Sequence, residues 1–397
     1  MNKDADNINL ESNVWKYYFI EALSGFLLIM PIIVPFYQEN GLNVTQLFLI
    51  QAAFSIAIVL LEIPSGYFAD IYGRKNSIVF GLLVWALGCW IYAFSYSFLG
   101  FLISELILGV GVAFVSGANT ALIYDSLIQL KKQDSFKKVK GNIDFISSIS
   151  EAVAGILGGL LAVISLRTPF LVEAIVITFA LPFAFSLYEP KRDVYFHQKG
   201  HLQSLYKITH YSLFKHKKIK WLILFGAVLS TGTLIMVWLA QPYYQFVGLP
   251  IAYFGLIWAL NNISVGLFSK YAIFFENRFG KKQLFIALPV IYFVSVLGIA
   301  LVTKIFGILL FFSFTFIRSI NRVILTDYIN SYTPSETRAT VMSINSFMGK
   351  LIFSAFSPLI GLINDKYTLP IALYVTGISI FAVSIISLHY LHKHKVI

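Results

Sequence analysis

The chain has 397 residues, is 58% hydrophobic and only 12% charged, and carries a formal net charge of +11. A soluble domain carries about 25% charged residues, so this composition excludes an ordinary soluble fold and points to a chain solvated by lipid. Its one cysteine, Cys89, lies in an apolar run and leaves no disulfide or cysteine metal site. The basic residues gather in loops on one side, which argues against a nucleic-acid partner.

A bilayer-crossing helix needs about 20 apolar residues. Such runs lie at about 15–37, 44–69, 77–95, 98–125, 140–164, 168–188, 220–246, 251–275, 283–303, 305–328, 339–364 and 368–390. Residues 1–13 are polar and acidic and the first run is long enough to span, so no cleavable signal peptide is expected. An even number of spans returns both termini to one face. Lys3, Lys16, Arg74, Lys75, Lys131, Lys132, Lys137, Lys138, Lys140, the basic stretch Lys191 to Lys220, Arg278, Lys281, Lys282, Arg338, Lys393 and Lys395 all fall on that face. The other face holds only Arg167, Lys304 and Lys366. Positive charge marks the cytoplasmic side, so both termini are expected in the cytoplasm of a bacterium, with the chain in its inner membrane.

The longest polar stretch, 189–219, mixes Lys, His and Gln with Tyr206, Tyr211 and Phe214. It reads as a cytoplasmic linker, in part an amphipathic helix lying on the membrane. It separates an N-terminal bundle, 1–188, from a C-terminal bundle, 220–397. The halves repeat one another. Asn119 to Asp125 (NTALIYD) recurs as Asn321 to Asp327 (NRVILTD), Lys140-Gly141 as Arg338-Ala339, and Gly73-Arg74-Lys75 as Gly280-Lys281-Lys282. The expected fold is all-α: 12 transmembrane helices in two pseudo-symmetric six-helix bundles.

Between the second and third spans stands Gly66-Tyr-Phe-Ala-Asp70-Ile-Tyr-Gly73-Arg74-Lys75. Gly66 is expected to let another helix approach closely, and Gly73 to permit a tight turn through positive φ. This G-x-x-x-D-x-x-G-R-K pattern resembles the signature loop of the major facilitator superfamily, with every position filled. The resemblance implies a secondary transporter, alternating access around a midplane site, and a latch in which Asp70 and Arg74 hold the cytoplasmic side closed. Glu62, on the helix leading into the loop, is expected to join that network. In the second copy Asn277 stands where the first has Asp70, with Glu276 beside it.

An ionisable group at membrane depth is a functional-site hypothesis. Glu62, Asp125, Asp144, Lys270, Glu276, Arg322 and Asp327 lie within about two turns of the cytoplasmic ends, at 1.5 Å rise per residue, where latching ion pairs are expected. Deeper lie Glu21, Glu105, Glu151, Glu173, Arg318 and Lys350, candidates for a proton and substrate cavity. Glu151 and Lys350 hold nearly equivalent places in the fifth and eleventh spans. A structural role as buried ion pairs stays open for all six. Glu21, Glu105 and Glu151 are the carboxylates expected to carry a proton. Tyr17, Trp238, Gln241, Tyr243, Tyr244, Trp258, Asn261 and Asn262 complete the cavity, with belt or packing roles as the other reading.

Two departures bear on direction. In the superfamily that the loop resembles, many proton-coupled exporters carry an Arg four residues before the Gly-x-Gly of the fourth span; here Glu105 precedes Gly109-Val-Gly111. The exporter pattern G-P-x-x-G-G is matched by Ala154-Gly155-Ile-Leu-Gly158-Gly159, without its proline, while Ser357-Pro358-Leu-Ile-Gly361 keeps one.

No G-x-x-x-x-G-K-[ST] is present, so ATP-driven pumping has no support. The seven histidines fall in the linker (His197, His201, His210, His216) and the tail (His389, His392, His394). No enzyme activity, cofactor or metal site is expected. The expectation is a monomeric, proton-coupled antiporter exporting an amphipathic compound, with small-molecule substrate, protons and the lipid bilayer as its partners. Uptake of a carboxylate-bearing metabolite or siderophore, and a non-transporting receptor, stay open.

Overall fold

The computed structural model describes residues 3–191, 208–302, 304–334 and 337–397. No strand occurs among them, and 11 helical stretches are long and apolar enough to cross a membrane. The sequence expectation of an all-α membrane fold holds, but several of the expected spans are interrupted, the first among them. The first span is not one helix. Helix α1 runs Lys3–Ser24, beginning well before the apolar run, and α2 runs Ile33–Glu39. Residues 25–32 between them turn out of the helical path. Pro31 has no N–H to donate and disfavours helical backbone at Met30, and Gly25 lowers helix propensity at the other edge.

Helices α3 (Val44–Tyr72), α4 (Arg74–Phe94), α5 (Phe98–Gln129), α6 (Phe136–Ile164), α7 (Thr168–Thr178) and α8 (Ala180–Phe185) follow. Residues 192–207, including His197, His201 and Tyr206 of the expected linker, lie outside the described residues. Next come α9 (Lys217–Phe246), α10 (Phe254–Lys270), α11 (Ala272–Phe279) and α12 (Lys281–Leu301). The tenth span is broken into α13 (Phe311–Ile320), a π-helical turn at Asn321–Leu325 and α14 (Thr326–Ser331). Helices α15 (Arg338–Lys366) and α16 (Leu369–Lys393) close the chain.

The chain forms two compact units. The first comprises residues 1–42, 53–196 and 251–259. Its core is a cluster of Phe36, Tyr37, Tyr92, Phe101 and Phe170, the Phe36 and Phe170 rings stacked at 3.9 Å. Helix α6 lies so close to the 251–259 segment that a Cβ on Gly155 would strike Trp258 at 2.8 Å. Glycine there trades side-chain volume for backbone contact, the usual device where lipid offers no hydrophobic drive between helices.

The second unit comprises 43–52, 197–250 and 260–397. Helix α9 is its centre, with most residues between Ile219 and Tyr244 buried, and it packs on α15 and α16. Across both units Leu60, Ile164, Phe214, Leu301 and Phe306 stand exposed, which suits surfaces solvated by lipid rather than water.

Candidate functional site

The polar groups singled out by the sequence lie in four places. At the signature loop, α3 ends at Tyr72 and α4 begins at Arg74, with Gly73 alone between them at φ 113° and ψ 147°. Only glycine adopts that backbone region without strain. The Glu189 carboxylate sits over the turn and accepts the N–H groups of Arg74 at 2.9 Å and Lys75 at 2.7 Å. An acid at this helix start satisfies orphan amides and complements the helix dipole. The Arg74 side chain pairs with Asp70 at 3.0 Å and with Asp125 of α5 at 3.5 Å.

Two expectations for the loop change. Glu62 is exposed and takes part in none of the ion pairs among the described residues. It sits eight residues before Asp70, about 12 Å along the helix, too far to reach the Arg74 guanidinium. A Cβ on Gly66 would meet nothing within 4 Å. The close approach is made instead by Gly117 of α5, whose Cβ position lies 3.3 Å from the Ser65 hydroxyl.

The second copy repeats the backbone and replaces the side chains. Gly280 stands at φ 82° and ψ 154°, the conformation of Gly73. Glu276 accepts a hydrogen bond from the Tyr328 hydroxyl, and the Lys281 ammonium lies 3.7 Å over the Tyr328 ring.

In the interior of the first unit, Glu105 and Glu173 are each 5% exposed. Glu173, on α7, accepts the Ile29 N–H at 3.0 Å from the break between α1 and α2. The Tyr92 hydroxyl bonds to the Tyr37 hydroxyl and reaches Glu105 at 3.5 Å. Glu21, on α1, lies beside Ser147 of α6 and Tyr17, with Lys140 and Asp144 within electrostatic reach. Lys140 is paired with Asp144 at 2.6 Å, one turn along α6.

Glu151 is half-buried on α6, and its Oε1 accepts from the Trp258 indole N–H at 3.2 Å. In the second unit Trp238 and Gln241 are packed inside α9, 6% and 2% exposed. Asn261 lies beside the Tyr244 hydroxyl, Asn262 is half-buried on the same helix, and Arg318 is exposed. Lys350 is half-buried on α15 and stands in none of the ion pairs among the described residues.

Several polar anchors escape a reading of the sequence. Asn13 donates to Ser126 and to the Tyr188 carbonyl, and accepts the Tyr188 N–H, tying α1 to α5 and to the end of the sixth span. The Arg167 guanidinium donates to the carbonyls of Ala93 and Ser95, at 2.6 and 2.9 Å, and to Asn40. It also lies 3.8 Å over the Tyr96 ring. In the second unit Asp365 accepts the N–H groups of Val44 and Thr45 and the Thr45 hydroxyl. Glu189 and Asp365 each stand at the end of an apolar run, the one local signal that marks them as caps.

Outside the spans, His216 precedes α9 and its Nδ1 accepts the Ile219 N–H at 3.2 Å. Partial burial, with the nearby Lys218 charge, lowers its pKa below the usual histidine value.

With this geometry in place, the sequence pattern of the Major Facilitator Superfamily matches residues 17–357. Similar chains include the uncharacterized MFS-type transporter YxaM of Bacillus subtilis (strain 168), 24% identical over 91% of this chain and 92% of that one. The quinolone resistance protein NorA of Staphylococcus aureus (strain MRSA252) is 25% identical over 94% of each. Among solved structures, the nucleoside transporter NupG superposes with a TM-score of 0.76 at 15% identity, covering 97% of this chain and 99% of that one. A D-xylose-proton symporter gives 0.70 at 15% identity, covering 96% and 97%. At these identities the structural likeness speaks for the fold.

Proposed function

This chain belongs to the major facilitator superfamily, and from that premise we propose that it exports an amphipathic, positively charged organic compound in exchange for protons. Members of the family move small molecules across membranes by alternating access. The observation that carries the cargo class is the Glu151–Trp258 pair. A half-buried carboxylate oriented by an indole N–H offers a lipophilic cation both a countercharge and an aromatic face. The similarity to a quinolone resistance protein over nearly the whole chain supports the direction. The missing proline at Gly155 and the acid at Glu105 depart from the pattern of exporters with an arginine-based relay.

The basic loops support an inner-membrane placement with both termini in the cytoplasm, and the parts needed for one transport path lie within a single chain, as a monomer requires. Labelling of cysteines placed beside Arg167 and beside Lys282 with an impermeant reagent checks the orientation. Only the first is expected to react from outside the cell.

The test of function is flux in liposomes. With the interior acid and the membrane potential clamped, tetraphenylphosphonium is expected to accumulate, and an uncoupler to abolish the accumulation. Movement indifferent to both removes proton coupling.

One observation favours a second reading. Lys350 is a half-buried cation without a carboxylate in the described ion pairs, suited to a carboxylate-bearing solute taken up with protons. Thermal stabilisation by organic acids, and not by lipophilic cations, decides for uptake. Stabilisation without flux decides for a receptor.

A further inference from the structure

The break in the first span, and the acid that faces it, carry an inference that rests on the transporter reading. Backbone that leaves the helix at membrane depth is tolerated only where protein or a cavity satisfies its amides. At residues 25–32 backbone carbonyls accept the N–H groups of Gly25, Phe26, Leu27, Leu28 and Ile32, while Glu173 accepts the Ile29 N–H at 3.0 Å and also faces the Leu28 N–H. Glu173 is 5% exposed and joins none of the ion pairs among the described residues.

Its surroundings are those of a proton site. A small cavity is walled by Ile29, Cys89, Tyr92, Leu108, Phe170 and Glu173. Cys89 and Tyr92 face it from α4, and Glu105 of α5 lies within electrostatic reach of both Glu173 and Cys89. From α2, the Tyr37 hydroxyl bonds to Tyr92, which in turn reaches Glu105. The cation nearby, Arg167 over the Phe36 ring, is engaged by the Ala93 and Ser95 carbonyls and by Asn40. Two buried carboxyl groups therefore lie within electrostatic reach of one another, Glu173 in the cavity wall and Glu105 against Tyr92 of that wall, where like charges repel and a single proton relieves the repulsion.

We propose that the Glu173–Glu105 pair binds the coupling proton, and that its occupancy sets the grip of Glu173 on the break between α1 and α2. With Glu173 ionised, the bonds to the break are charge-assisted. With the proton on its carboxyl, the same contacts are neutral and about half as strong, and the joint between α1 and α2 is released to pivot. A carboxylate lone pair takes the proton from one side and returns it to the other, and no other bond changes. The Tyr92 and Tyr37 hydroxyls bridge Glu105 to α2.

Amide hydrogen exchange of the purified protein tests this without any cargo. After correction for intrinsic rates, exchange at residues 28 and 29 is expected to rise about tenfold from high to low pH, the difference between a charge-assisted and a neutral hydrogen bond. Glu173→Gln is expected to show the low-pH level at every pH, and Glu105→Gln, which leaves the grip intact, to displace the midpoint. Flat exchange in the unmodified protein, or a Glu105→Gln profile that coincides with it, overturns the proposal. In liposomes, Glu173→Gln is expected to lose pH-driven accumulation of tetraphenylphosphonium. A variant still driven by the gradient also overturns the proposal. If the unmodified protein moves no tetraphenylphosphonium yet shows the exchange profile, the cargo reading fails and the proton site stands.

Discussion

The guanidinium of Arg74 is held by Asp70 one helical turn before it, Nη1 to carboxylate at 3.0 Å, while its Nε lies 3.5 Å from Asp125. Both partners belong to the first unit. The signature loop is thus stapled to α5 of its own bundle, and Asp125, at the end of the first NTALIYD repeat, is the third member of the set. The three side chains keep 20–34% of their surface exposed, enough for solvent to screen the pairs, so each is worth about 1 kcal/mol. Asp70→Asn and Asp125→Asn are accordingly expected to leave the melting temperature within a few degrees and to cut flux sharply. Flux at the unmodified level with equal expression removes the loop from the cycle.

The cap on α4 is a stability element, because Glu189 satisfies two orphan amides with a charged acceptor. Glu189→Ala is expected to destabilise by about 1–2 kcal/mol. Gly73→Ala is expected to be worse, since it forces a side chain to φ 113° and directs its Cβ to 2.9 Å from the same carboxylate. Thermal melts of both variants give the order.

Stability is expected to depend on pH through His216. Its neutral imidazole caps α9, and its folded pKa is lowered. The unfolded chain therefore binds the proton more readily than the folded one, and the cap's contribution is complete above the unfolded value of about 6.5. It is lost as pH falls from there through the lower folded value, when Nδ1 gains a proton and puts positive charge on a helix N-terminus. His216→Asn keeps a capping acceptor and is expected to remove that slope. Unchanged slopes in melts between pH 7.5 and 5 assign the effect elsewhere.

Arg167 gathers three chain segments through a planar fork. Lysine offers a single ammonium with no fork. Arg167→Lys is expected to lose at least one of the carbonyl bonds, costing about 1.5–3 kcal/mol, and to loosen the 93–96 turn. Faster amide exchange there, without change at Gly73, is the expected pattern.

Much of the architecture is legible in order of residues alone. Apolar runs long enough to cross a bilayer announce themselves because lipid forces every backbone amide into a helix. The duplicated Gly73 and Gly280 are readable because a positive φ leaves glycine as the ready choice, and both stand in the same conformation. What composition conceals is the break in the first span. Its residues 25–32 are as apolar as the helix they interrupt, and the acid that makes the break tolerable lies 144 positions away. The Asp125 partner of Arg74 and the partners of Glu151 and Asn13 are hidden for the same reason. A charge inside a span declares that it needs a partner, because burial without one is costly. Which side chain supplies it depends on helix rotation and packing, and only the tertiary structure set Trp258 against Glu151, Asp125 against Arg74, and Glu173 against the broken backbone.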